Sequence, residues 1–368
     1  MTGKVYLVGA GPGDPGLLTL RGAELLGRAQ TVVYDQLAAP ELLSLAPPGC
    51  RLVDAGKKAG DHALSQAAIN ELLAQEALAG RTVIRLKGGD PYIFGRGGEE
   101  ALYLAERGLE FETIPGVSSA IAAAAAAGVP LTHRGLSQLA ILATGHAQNG
   151  RDGVDFASLP DGTVAVVMGR ANLKSICQGL IKSGRPPQTP AAAVERGATA
   201  RQKTVVGTLA DLPLLADRAR LAPPTLLVAG AVVSLRDRLG WFEKRPLFGR
   251  TVLVTRARAQ AGRLSAIFRE LGARVIEAPA IAVRPIEPNP ELDQALEDLT
   301  GSRLFGYLVL TSPNGAEIFL KALFKGPGDA RALFGLKIVA IGPGTAAALT
   351  PFGLKADGLP KVYQAEGL

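Results

Sequence analysis

At 368 residues, 47% hydrophobic and 20% charged, the chain is long enough for two or three packed domains and too apolar to be disordered. Its two cysteines, Cys50 and Cys177, stand far apart in apolar surroundings, which excludes a disulfide framework and a zinc site; no metal is expected. The formal charge of +7 comes from scattered arginines without a dense basic run interleaved with aromatics, a pattern that argues against a nucleic-acid module and suits a small polyanionic substrate.

The first strand is expected at Val5–Val8, with no basic, apolar and cleavable segment ahead of it, so a soluble protein is expected, and the two separated cysteines suit a reducing cytoplasm. Gly11-x-Gly13-x-x-Gly16 follows, with Asp35 about twenty residues further on, in the manner of a dinucleotide-binding fingerprint. The physics of a pyrophosphate cradle opposes that reading. Such a cradle points backbone N–H groups at the anion, and Pro12 and Pro15 have none. A rigid turn that holds its ligand by shape is the expectation instead.

A second strand, Thr31–Tyr34, ends at Asp35, and Lys57 follows Gly56 in a loop. These two are the best paired acid and base, with a solvated loop lysine as the alternative. Ser65 is expected to cap a helix reaching Ala79, with Ile69, Leu72, Leu73 and Leu78 as its apolar positions. After a strand at Arg81–Leu86, Gly88-Gly89-Asp90-Pro91 lets a ligand approach the main chain and offers the Asp90 carboxylate as an acceptor. Arg96 then presents a planar fork for carboxylates, and Glu99 and Glu100 begin a helix where its dipole favours acids.

Ile114-Pro115-Gly116-Val117 breaks the pattern before an alanine-rich helix whose small-residue run, from Ile121 to Val129, is too short to span a bilayer. Beyond His133 and Arg134, strands are expected at Gln138–Leu142, Thr163–Val167, Ala191–Val194 and Thr225–Val228. Apolar runs alternating with helices indicate an α/β fold with covered sheets. From Trp241 to Gly249 the alternation is interrupted as at a joint, and it restarts with strands at Gly249–Arg256, Tyr307–Leu310 and Lys337–Ile341. Five loops combine glycine or proline with a polar residue just past an apolar strand, and open α/β sheets gather ligands there.

In combination, Val8–Pro15, Tyr34–Leu37, Gly88–Glu99, Ile114–Ala120 and Leu131–Gly135 closely resemble uroporphyrinogen-III C-methyltransferase, one of the tetrapyrrole methylases, over residues 1 to about 243. The resemblance implies a two-domain tetrapyrrole methylase fold, with an N-terminal α/β domain at 1–115 and a C-terminal one at 116–243. It implies two methyl transfers from S-adenosylmethionine to pyrrole carbons, giving precorrin-2 for sirohaem and cobalamin, in a homodimer. It further implies a donor site of Pro12, Gly88, Gly89, Asp90, Ile93, Ser118, Ser119, Met168 and Gly197. Asp35 corresponds to a proton acceptor and Lys57 to a proton donor, while Arg96, Glu99, His133 and Arg134 match residues that engage the tetrapyrrole.

Residues 249–368 resemble uroporphyrinogen-III synthase through Val252–Arg256, Leu310–Ala316, Ala340–Ala346 and Tyr363–Leu368. That family folds as two lobes, the chain leaving the first, building the second and returning. Since the sequence stops roughly midway, a partial α/β synthase region with uncovered sheet edges and little cyclisation activity is expected. A methylase of a later precorrin, and more remotely a dinucleotide-binding oxidoreductase, are the competing readings.

Overall fold

The computed structural model describes residues 2–35, 38–56, 64–146, 153–256, 258–301, 305–326 and 328–362. Runs rich in β-branched residues form β1 (Val5–Gly9), β2 (Thr31–Tyr34), β3 (Arg51–Asp54), β4 (Val83–Lys87) and β5 (Phe111–Ile114). These strands make one parallel sheet in the order β3-β2-β4-β1-β5. Around it lie α1 (Leu20–Leu26), α2 (Gln66–Leu78) and α3 (Gly97–Ala105). The two-residue period sends Val5 and Leu7 to one face, against Ile69 and Leu73 of α2 and Leu104 of α3. Val8 goes to the other face, against Leu25 and Leu26 of α1.

Ser65 caps α2 as expected, its Oγ accepting from Ala68 N at 3.1 Å. Ile69 and Leu73 of that helix are buried and Leu72 half-buried, whereas Leu78 is 62% exposed. The inward stripe runs through Ile69, Leu73 and Ala77, and Leu78 stands about 100° further round the helix. Two polar residues, Asn70 and Glu76, are buried with the stripe.

The second sheet joins β6 (Ala140–Thr144), β7 (Thr163–Val167), β8 (Pro190–Glu195), β9 (Lys203–Thr208) and β10 (Thr225–Ala229) in the order β6-β7-β10-β8-β9. Its β6–β7 pair is parallel and the others are antiparallel. With it come α4 (Ser119–Ala126), α5 (Leu173–Lys182), α6 (Leu212–Arg218) and α7 (Arg236–Leu239). The alanine helix α4 buries Ala120, Ala123 and Ala124 against Ala165, Val194 and Val228.

Trp241 to Gly249, read from sequence as a joint, is anchored. Phe242 is buried with Ala122, Ala126 and Ala198, and the Arg245 guanidinium lies 3.8 Å from its ring centroid. The Glu243 carboxylate accepts from Gln202 Nε2 at 2.9 Å and Thr204 Oγ1 at 2.6 Å. Beyond it, β11 (Thr251–Val254) pairs in parallel with β12 (Arg274–Glu277) across α8 (Arg258–Glu270).

The chain divides into two compact units, Met1–Val254 with Gly262–Glu277, and Thr255–Ala261 with Ala278–Leu368. The second contains α9 (Pro290–Gly301), β13 (Tyr307–Leu310), α10 (Pro313–Lys325), β14 (Lys337–Ala340) and α11 (Pro343–Ala347), with β13 and β14 parallel. Leu296, Leu310, Leu320, Leu323 and Ile338 form its core. Tyr307 and Val309 on β13 are exposed, as is Leu253 on β11 in the first unit. Among the described residues no helix is long and apolar enough to cross a membrane.

Candidate active site

Because β4, β1 and β5 are parallel neighbours, the loops leaving their carboxyl ends emerge side by side. The loops after β1 and β4 are tied together by main chain: Ala10 N donates to Lys87 O at 2.7 Å, Gly11 N to Gly89 O at 3.2 Å and Gly89 N to Gly11 O at 2.7 Å. Asp90 ties β4 to β5. Its Oδ1 accepts from Tyr92 N at 2.8 Å and its Oδ2 from Gly116 N at 3.0 Å. Sequence reading offered this carboxylate to a ligand, and in the fold each oxygen already holds a main-chain donor.

Glycine is required here by crowding. A Cβ on Gly116 would lie 2.3 Å from Gly89 O and 2.6 Å from Gly9 Cα. Gly89 has φ +70°, and a Cβ there would stand 3.6 Å from Ser119 N. Several N–H groups of the fingerprint-like loop are also engaged inside the protein. Besides Gly11, Gly16 N donates to Asp14 Oδ1 at 2.9 Å, and Pro12 and Pro15 have no hydrogen to give. With Gly11 and Gly16 engaged and prolines at two positions, the loop offers a pyrophosphate few converging donors.

The second sheet adds its own edge. β7 and β8 both run antiparallel to β10, so they share a direction and their carboxyl ends lie on one side. Met168, just past β7, has φ 55° and is 52% exposed; Arg196 and Ala198, just past β8, have φ 47° and 62°. Left-handed backbone at such residues carries strain, and strain concentrates at functional sites. Gly197 abuts α4, where a Cβ on it would fall 2.2 Å from Ala123 Cβ, and Thr199 Cγ2 stands 3.2 Å from a Cβ placed on Gly13. Buried Ser118 caps α4, its Oγ accepting from Ala120 N at 3.4 Å. The structure thus brings the Gly11–Gly13, Gly88–Asp90, Gly116–Ser119 and Gly197–Thr199 segments together, while no hydrogen bond ties Met168 to them among the described residues.

The remaining predicted residues divide. Ile93 is exposed beside Phe94, on a loop that folds back so that Gly97 N donates to Pro91 O at 2.9 Å. Arg96 and Glu99, expected to engage substrate, pair with each other through Nε–Oε1 at 2.9 Å and Nη2–Oε2 at 2.7 Å, both exposed. This bond holds the Glu99 carboxyl below its usual range. His133 and Arg134 are exposed in a turn closed by His133 N donating to Ser137 O at 2.9 Å, joined by no side-chain hydrogen bond to the loops above among the described residues. Lys57 lies outside the described residues. Cavities of about 850 Å³ beside Ser137 and Arg185 and about 400 Å³ beside His146 and Asn172 are lined by none of the predicted site residues.

One cluster escaped sequence reading. Asp35, just past β2, has Oδ2 3.4 Å from Arg85 Nη2. Arg85 and Lys87 of β4 both reach the buried Glu100 of α3, at 3.1 Å and 2.8 Å. Burial, and then the Arg85 charge, push the Lys87 ammonium down from its ordinary value, against the pull of Glu100. The available signal was an arginine and a lysine two residues apart in an otherwise apolar strand, Val83-Ile84-Arg85-Leu86-Lys87.

Known proteins share this framework. The Tetrapyrrole (Corrin/Porphyrin) Methylases family matches residues 4–213, and the Uroporphyrinogen-III synthase HemD family matches residues 262–368. The chain is 42% identical, over its full length, to 73% of the porphyrin biosynthesis protein HemD of Ruminiclostridium josui. It is 50% identical over 66% of its length to the siroheme synthase of Chromobacterium violaceum, of which it spans about half, 52%. The uroporphyrin-III C-methyl transferase of Thermus thermophilus, solved with S-adenyl homocysteine, is matched over 100% of its length and 63% of this chain, with 40% identity and a TM-score of 0.55. The chain therefore belongs to the tetrapyrrole methylases.

Proposed function

We propose that this chain is an S-adenosylmethionine-dependent C-methyltransferase that converts uroporphyrinogen III to precorrin-2 by two successive methyl transfers. The observation that carries the reading is the close-packed glycine niche at Gly11, Gly89 and Gly116, whose N–H groups are all engaged inside the protein and so are not aimed at an anion. A sulfonium donor needs no anion cradle. Its methyl is already activated, so the protein's contribution is alignment with the ring carbon for in-line attack.

In this reading Pro12, Gly88, Gly89, Asp90, Ile93, Ser118, Ser119, Met168 and Gly197 hold the donor. Asp35 takes up the one proton that each transfer releases as the ring system is restored, and Lys57 stands at the position that matches the family's proton donor. Arg96, Glu99, His133 and Arg134 engage the macrocycle, arginine forks matching its carboxylates. The methyltransferase domains are 1–115 and 116–243, with a uroporphyrinogen-III synthase-like region over 249–368, so a module related to the source of the substrate shares the chain. We also propose a homodimer acting in the cytoplasm, a compartment that suits the free Cys50 and Cys177.

The test is incubation of the purified chain with uroporphyrinogen III and S-adenosylmethionine, followed by mass spectrometry. Gain of one and then two methyl groups is expected. Turnover confined to an already methylated precorrin would assign the chain to a later step, and no transfer to any tetrapyrrole would refute the reading.

A further inference from the structure

Strand β4 carries two cations into the interior. Arg85 and Lys87 share the sheet face covered by α2 and α3, where their side chains are 5% and 4% exposed, and Glu100 opposite them is fully buried. Among the described residues one Glu100 oxygen is served and the other is not. Oε1 accepts from Lys87 Nζ at 2.8 Å, Arg85 Nε at 3.1 Å and Gln66 Nε2 at 3.2 Å, whereas buried Oε2 has no hydrogen-bond partner among the described residues.

Stability alone does not call for this arrangement. Buried ion pairs of this kind are often matched or exceeded by apolar side chains of similar volume, and an unpartnered buried oxygen adds a desolvation cost. What the arrangement does supply is orientation. With Nε held by Glu100 and Nη1 directed at the carbonyls of Val33 and Leu86, at 3.4 Å and 3.3 Å, the planar guanidinium has its rotation fixed. Its remaining nitrogen, Nη2, then faces Asp35 Oδ2 at 3.4 Å.

We propose that Glu100 is a positioning residue for the methyl transfer, holding Arg85 so that its Nη2 steadies the carboxylate of Asp35. The inference rests on the reading of Asp35 as the proton acceptor. Its test is a double-mutant cycle in the full chain, with uroporphyrinogen III turnover and S-adenosylhomocysteine affinity measured for Asp35→Asn, Glu100→Gln and the pair. Glu100→Gln is expected to lower kcat about 100-fold, the cost of a misplaced reacting group, with KM and S-adenosylhomocysteine affinity unchanged. The double variant is expected to be no slower than Asp35→Asn alone.

Additive losses, a wild-type kcat in Glu100→Gln beside an impaired Asp35→Asn, or a loss of S-adenosylhomocysteine affinity as large as the loss of kcat would overturn the inference and leave Asp35 in its role. A wild-type chain that does not methylate uroporphyrinogen III, or Asp35→Asn with unchanged kcat, would overturn both. If Glu100→Gln fails to fold, Arg85→Lys, which keeps the buried charge and loses the fork, takes its place in the cycle with the same outcomes.

Discussion

Glu76 and Glu100 are carboxylates buried against the same face of the first sheet, one at each end, and they are built differently. Glu76 meets the amino end: it accepts from Thr31 Oγ1 at 2.6 Å, from Arg81 Nη1 at 2.6 Å and from Arg51. Both its oxygens are served, and its arginines stay 56% and 43% exposed, so only the carboxylate is desolvated. Glu100 meets the carboxyl end, where both cations are buried with it and one oxygen has no partner among the described residues. A staple can be made economical, as Glu76 shows. The costlier arrangement stands where open α/β sheets bind their ligands.

Substitutions should separate the two ends. The largest effect is expected at the carboxyl end, where Asp35→Asn should lower kcat about 100- to 10,000-fold, the usual contribution of a proton-transfer group, while leaving the unfolding temperature nearly unchanged. Glu76→Gln should do the reverse, costing about 1–3 kcal/mol in denaturant unfolding with turnover per folded molecule retained.

The same variant should also alter acid stability. Burial alone would push the Glu76 carboxyl up, yet hydrogen bonds from Thr31 and Arg81 and the Arg51 charge bring it below its ordinary value of 4.5. A depressed folded-state value means its stabilisation is complete above that ordinary value and is lost as pH falls through the folded one. Unfolding free energy measured below pH 4.5 should therefore fall less steeply in Glu76→Gln than in the wild-type chain. The smallest effect is expected at Leu78, on the same helix but facing solvent, where Leu78→Gln should change stability by no more than about 0.5 kcal/mol.

Much of the first sheet was legible because its central strands are buried on both faces and read as unbroken apolar runs, as at Val5–Val8 and Thr31–Tyr34. The edge strands Arg51–Asp54 and Lys203–Thr208 were not, since half-exposed residues leave no such run. The glycine loops could be picked out singly from turn chemistry. Their side-by-side placement could not, because it follows from the β4-β1-β5 order, which no local pattern encodes. Arg85 and Lys87 look like solvated charges until Glu100, brought near by α3, is seen opposite them. Asp90 was singled out for its glycine neighbours, but the N–H groups of Tyr92 and Gly116 that occupy its oxygens depend on how two loops pack.

The donor niche itself is tested most directly by calorimetric titration of the full chain with S-adenosylhomocysteine, before and after Gly116→Ala, which places a methyl 2.3 Å from Gly89 O. Saturable binding by the wild-type chain and a loss of affinity of at least about tenfold in the variant, or about 1.4 kcal/mol, are predicted. Unchanged affinity in a folded Gly116→Ala, or a wild-type chain that ignores S-adenosylhomocysteine and binds NAD, would contradict the account.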